Sequence, residues 1–126
     1  MSTLAWAQDL LEDAADRLAG LPLPVTATPD LTAVPSHLAA GHLVITCLPP
    51  RLEVPTWSEL EATWEIFLIA GGSDALAAWA TLDAALFVLL ERLAVEEVRP
   101  DSFTDLQGKT YPAFVITTTS HHTRSQ

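Results

Sequence analysis

The chain has little of what disulfide-bonded, metal-binding or nucleic-acid-binding proteins need. It contains one cysteine, Cys47, so no disulfide framework can form within it, and the apolar run 43–48 around that residue marks a buried free thiol. Six basic residues stand against sixteen acidic ones, for a net charge of −10. Arg17, Arg51, Arg92, Arg99, Lys109 and Arg124 form no cluster in sequence, so a phosphate backbone meets repulsion and no basic footing. The charge suits a surface that DNA passes without adhering, although solubility alone accounts for it. No apolar run reaches the ~18 residues of a membrane-spanning helix. The first residues do not read as a basic leader followed by an apolar stretch, and Asp9, Glu12, Asp13 and Asp16 interrupt the first helix; the expectation is a chain without a membrane partner, used in a cytoplasm.

The residue patterns of catalysis are equally sparse. Gly71, Gly72 and Ser73 precede a helix as a phosphate cradle would, but the lysine and glycine spacing of a P-loop is missing, and Asp74 already places a negative charge in the first turn; Ser73 reads as a cap. His121 and His122 are adjacent, so in an extended strand they point to opposite faces and cannot share a metal, while His37 and His42 lack a neighbouring cysteine or paired carboxylate. Glu59 with Glu61, and Glu96 with Glu97, are carboxylate pairs, yet the first lies on a polar strand face and the second is sequence-adjacent, so neither is set in the apolar pocket that acid/base work requires. No catalytic residue, metal or cofactor is expected, and the chain does not read as an enzyme.

What is present centres on residues 59–93. Leu60, Ala62, Trp64, Ile66 and Leu68 alternate with Glu59, Glu61, Thr63 and Glu65, which predicts a strand with one buried side. After the glycine break the period becomes helical from Asp74, with Leu76, Trp79, Leu82, Leu86, Leu89, Leu90 and Leu93 three or four apart. A three-residue connection keeps the helix close to the strand it leaves, so the two apolar faces are expected to bury each other.

Elsewhere, Ser2 or Thr3 caps a first helix with Leu4, Ala7, Leu11, Ala14 and Leu18 as its stripe and Gly20 as its stop. Residues 21–40, with four prolines, read as a short strand at 25–28 and a surface connection. Residues 42–47 are apolar on both faces, which fits an inner strand covered on both sides or packed on another chain; Val44 and Thr46 are therefore candidate contact residues. Residues 51–58 predict a hairpin arm standing off the domain, with Arg51, Glu53 and Trp57 as candidate contacts, Glu59 and Glu61 beside them, and Trp57 the most exposed tryptophan. Val98 or Phe103 is expected to pair with Phe114, Val115 or Ile116 across a turn at Gln107, Gly108 and Lys109, leaving residues 120–126 as a polar tail. The length fits one domain, 1–126. The predicted class is α+β, a mainly antiparallel sheet of about four to five strands with two helices in the order α-β-β-β-β-α-β-β.

This layout resembles the tail terminator (tail completion) proteins of long-tailed bacteriophages. The resemblance rests on the acidic first helix, on the Val25 to Asp30 strand and turn, and on the apolar 43–48 strand ending in Pro49 and Pro50. It continues with the alternating strand 64–70 followed by Asp74 to Trp79, and with the closing 111–117 strand. It implies a homo-oligomeric ring, a hexamer, in the virion tail or neck, assembled in the host cytoplasm. Such a ring caps the tail tube made by the major tail tube protein, ends polymerisation and joins the head through a head-completion or connector protein, while DNA passes through its lumen. A head-closure or connector subunit is the alternative within virions. A small-molecule-binding or isomerase-type α+β domain is the alternative of another class.

Overall fold

The computed structural model describes residues 2–123. Ser2 caps the first helix, α1 (Thr3–Arg17), by accepting the Ala5 N–H at 3.2 Å. The helix closes at Leu18 in right-handed geometry, so Gly20 is not its stop. Then come β1 (Val25–Ala27), a single 3₁₀ turn (Leu31–Ala33), a short helix α2 (Val34–Ala39) and β2 (Leu43–Cys47). The arm β3 (Arg51–Thr56) turns into the long strand β4 (Glu59–Ala70), followed by α3 (Ala75–Arg92), β5 (Val95–Thr104) and β6 (Thr110–Thr123). The class is α+β as expected and the elements follow the expected order, with all six of its strands in one sheet where about four to five were expected, and with α2 as an additional helix. The polar tail is corrected in part: β6 runs to Thr123 because residues 119–123 pair with 59–63 of β4, and residues 124–126 lie outside the described range.

The strands form one sheet in the order β1-β2-β4-β6-β5, with β3 beside the first half of β4. Only β1 and β2 are parallel, and parallel neighbours require a crossover of about a dozen residues or more. Residues 28–42 are that crossover, which corrects their reading as a plain surface connection. Asp30 accepts the Thr32 N–H at 3.0 Å and starts the 3₁₀ turn, Pro35 sits in the first turn of α2 where no amide partner is needed, and Val34 and Leu38, four apart, face inward.

The sheet therefore has a core on each side. The larger one lies between the sheet and α1 and α3, where Leu11, Ala14 and Leu18 meet Leu43, Ile45, Trp64, Ile66, Leu68, Leu82 and Leu89. The smaller one lies under α2 and joins Val34 and Leu38 to Val44, Ile69, Tyr111 and Ala113. Alternation along β2 sends Leu43, Ile45 and Cys47 to the first core and Val44 to the second, which is why that strand is apolar on both faces.

The β4-to-α3 connection depends on backbone closeness. Gly71 donates to the His42 carbonyl at 3.0 Å and Gly72 to the Leu38 carbonyl at 3.2 Å. A Cβ on Gly71 would collide with both carbonyls, and Gly72 has φ +97°, so each glycine has its own reason. Asp74, not Ser73, caps α3, accepting from Leu76 N and Ala77 N at 3.0 and 3.2 Å.

Candidate interaction surface

The arm is built from the register of β3 on β4. Leu52 lies level with the buried Ala62, so its side chain, and by alternation that of Val54, points to the α1 and α3 side beyond the reach of either helix. Both stay exposed, as does all of β3. A register shift between Glu53 and Thr56 bulges the strand just before its tip. Trp57 stands at that tip, 69% exposed against 58% for Trp79, and is the most exposed tryptophan, as expected.

The opposite face of the same end is polar. Glu53, Glu61 and His121 lie level across β3, β4 and β6, with Glu59, Thr63 and Glu65 on the same side of β4. Arg51 donates to Glu53 at 2.8 Å, and Arg99, from β5, to Glu65 at 3.0 Å. Both pairs are exposed and contribute on the order of 0–1 kcal/mol each. The structure thus brings Arg51, Glu53, Glu59 and Glu61 onto one open sheet face, with Trp57 beside them at the tip.

Val44 and Thr46 do not belong to this surface. Val44 is covered by α2 and Thr46 is 1% exposed, since β2 is an inner strand between β1 and β4 with a core on both sides. The sequence offered two explanations for a doubly apolar strand, and the intramolecular one holds. Thr46 keeps one anomaly, a buried Oγ1 without a hydrogen-bond partner.

The structure adds a second apolar surface, on residues whose spacing places them with the core. Helix α3 buries Ala78, Leu82, Ala85, Leu86 and Leu89, while Leu76, Trp79, Phe87 and Leu90 line its outer side; Leu76 is 76% exposed and Phe87 62%. The helix is apolar nearly all round, so periodicity alone finds more than one acceptable stripe. The missed signal was excess: a helix on one sheet face needs one apolar side, and this one has two.

One polar chain ties α1 to the end of the sheet. Trp64 Nε1 donates to Ser120 Oγ at 2.9 Å, Ser120 Oγ lies 2.8 Å from His122 Nε2, and the His122 ring stacks on Trp6 at 3.6 Å and 7°. Indole nitrogen only donates, so Ser120 Oγ accepts from Trp64, and its remaining hydrogen-bonding capacity serves the His122 ring. Burial, and next the charge of His121, hold the His122 pKa below its ordinary value. The serine hydroxyl joins the indole of β4 to the imidazole that stacks on Trp6, and the arrangement acts as a structural tether. Cys47 is buried, and burial pushes its thiol pKa up, away from reactivity.

Among the described residues no three histidine, cysteine, aspartate or glutamate side chains gather to hold a metal ion, and no helix is long and apolar enough to cross a membrane. An apolar groove of ≈ 130 Å³ lies between α1 and the end of β2, lined by Leu4, Ala7, Cys47, Pro50 and Trp64 among others. Ligand pockets usually measure roughly 300–1,000 Å³. A wider depression of ≈ 330 Å³ on the open sheet face is lined by Arg51, Glu65, Glu97 and Arg99 together with threonines. Comparison with models of protein families finds no match, and comparison with curated proteins finds none either.

Proposed function

We propose that this chain is a structural subunit of a long-tailed bacteriophage virion, a tail terminator that assembles into a hexameric ring on the finished tail tube. The ring ends polymerisation and offers its other side to the head-completion protein. The observation that carries the reading is the pair of exposed apolar surfaces, the arm and the outer side of α3, on a domain whose two cores are already filled. Exposed patches of this kind serve interfaces. Two different patches on one subunit suit heterologous contacts, which close into rings. The open acidic sheet face with Glu53, Glu59, Glu61 and Glu65 suits a lumen that DNA traverses without adhering. A subunit of this kind makes and breaks no bonds, so no cofactor enters its function.

The test is light scattering of the purified protein, alone and mixed with assembled tail tubes, with negative-stain images of both samples. Rings, or plugs at one tube end only, are expected. A monomer or dimer that ignores tubes overturns the reading. Binding to portal-bearing heads in place of tubes would transfer the protein to the head-closure side of the joint.

A further inference from the structure

Helix α3 carries its outer apolar residues in a pattern that rejects a second copy of itself. Leu76, Trp79, Phe87 and Leu90 lie seven and four residues on either side of Asp83, which sits in the same stripe. Two copies of α3 packed antiparallel about a two-fold axis, with these apolar residues matched, would bring Asp83 against its own symmetry mate. Two carboxylates desolvated side by side disfavour that packing. Asp83 has no ion-pair partner among the described residues. The stripe needs an occupant that is apolar at both ends and offers hydrogen-bond donors in the middle.

The arm has that chemistry. Leu52, Val54 and Trp57 are exposed, and among the described residues β3 pairs with β4 alone, which leaves its outer edge, Pro55 aside, with backbone amides that have no strand partner there. The areas also agree. The exposed fractions of Trp57, Trp79 and Phe87 amount to roughly 400 Å² at ~200–250 Å² per large aromatic side chain, and the aliphatic neighbours bring the two patches to on the order of 800 Å². A standard interface buries ~1,600 Å² in total, a little over half of it apolar, so arm and stripe together supply about the apolar share of one such contact.

We infer that the outer stripe of α3 receives the β3–β4 arm of a second copy of this chain, in a head-to-tail contact with Asp83 facing the donors of the arm. The inference rests on the ring reading and names the two surfaces that would close the ring. Because the contact joins different patches, each subunit keeps one free arm and one free stripe until closure.

The experiment uses Ser58→Cys, next to Trp57, and Ala80→Cys, beside the stripe, with a short bismaleimide; Cys47 is buried and remains in both. Each variant alone, and a one-to-one mixture, are cross-linked after circular dichroism has shown that both fold. The expected result is a mixed dimer at least tenfold more abundant than either self-linked product, reduced tenfold or more when Trp57→Ala is added to the arm variant. Asp83→Asn added to Ala80→Cys is expected to raise its self-linked product. Ala80→Cys linking chiefly to itself in the Asp83 background, or no mixed dimer at all, overturns the inference. Tube capping by the wild-type protein without the mixed dimer removes only the arm-to-stripe contact. A mixed dimer from a protein that ignores tubes removes the terminator reading and leaves the contact standing.

Discussion

Thr46→Val is expected to stabilise this protein, and the same replacement at Thr118 to destabilise it. Both threonines are buried in strands, and valine keeps the branched shape and the strand preference in each case. They differ in one bond. Thr118 Oγ1 donates to the Ala94 carbonyl at 2.7 Å, whereas Thr46 Oγ1 has no partner. An unpaired buried hydroxyl costs about 1–3 kcal/mol, so its removal from position 46 should return about 1–2 kcal/mol. Removing the Thr118 hydroxyl loses a bond and strands the Ala94 carbonyl, for a loss of about 1–2 kcal/mol. For a domain near this size each kcal/mol moves the midpoint of thermal unfolding by roughly 3–6 °C, so the two variants should melt about 10 °C apart. Urea unfolding with an unchanged m-value is the primary assay, because it separates stability from a change in the unfolded state. A Thr46→Val variant that is neutral or less stable refutes the reasoning.

Further outcomes follow from the packing. Leu38→Ala should cost about 3–4 kcal/mol in urea, near the upper part of the Leu→Ala range, because a six-residue helix cannot hold its place without that anchor; a loss under 1 kcal/mol would mean that α2 does not cover Val44 and Ile69. Gly71→Ala should cost about 1–3 kcal/mol, since the colliding atoms are backbone carbonyls that cannot rotate away, and an unchanged denaturation midpoint would disprove that close approach. His122 gives a pH dependence of definite sign. Its pKa lies below the ordinary value in the folded protein, so as pH falls through ~6.5 the unfolded chain takes up the proton first and stability declines until the folded pKa is passed. Urea midpoints measured between pH 7.5 and 5.5 should show that decline in the wild type and a smaller one in His122→Gln; equal slopes would remove His122 as its source.

Much of the fold is legible in the chain because strand and helix periods are local. The alternation from Leu60 to Leu68, the helical period after Asp74 and the terminal pairing of Val98 with Ile116 each depend on neighbours a few residues apart or on a single turn, whereas the cap fell on Asp74 in place of Ser73 and Phe103 pairs with Tyr111. The arm and the exposure of Trp57 follow in the same way, from a polar, proline-marked run with too few apolar residues to bury it. The short helix α2 was harder. Two apolar residues, Val34 and Leu38, make no visible period, although Asp30 as a cap and Gly41 at φ +83° bracket the segment.

What the residues alone decide is composition and local shape: an acidic chain with a hairpin arm and two long elements, each carrying more apolar surface than one partner can cover. The tertiary structure decides which of those surfaces is spent inside. It placed α2 over Val44 and so closed a strand that was equally suited to an interface. It turned Leu82 and Leu89 inward and left Leu76, Trp79 and Phe87 outside. The reason is geometric. A helix lying on a sheet contacts it along one side only, and which side wins depends on the sheet's own side chains, which come not only from the adjacent β4 but also from β2 and β6, far from the helix in sequence.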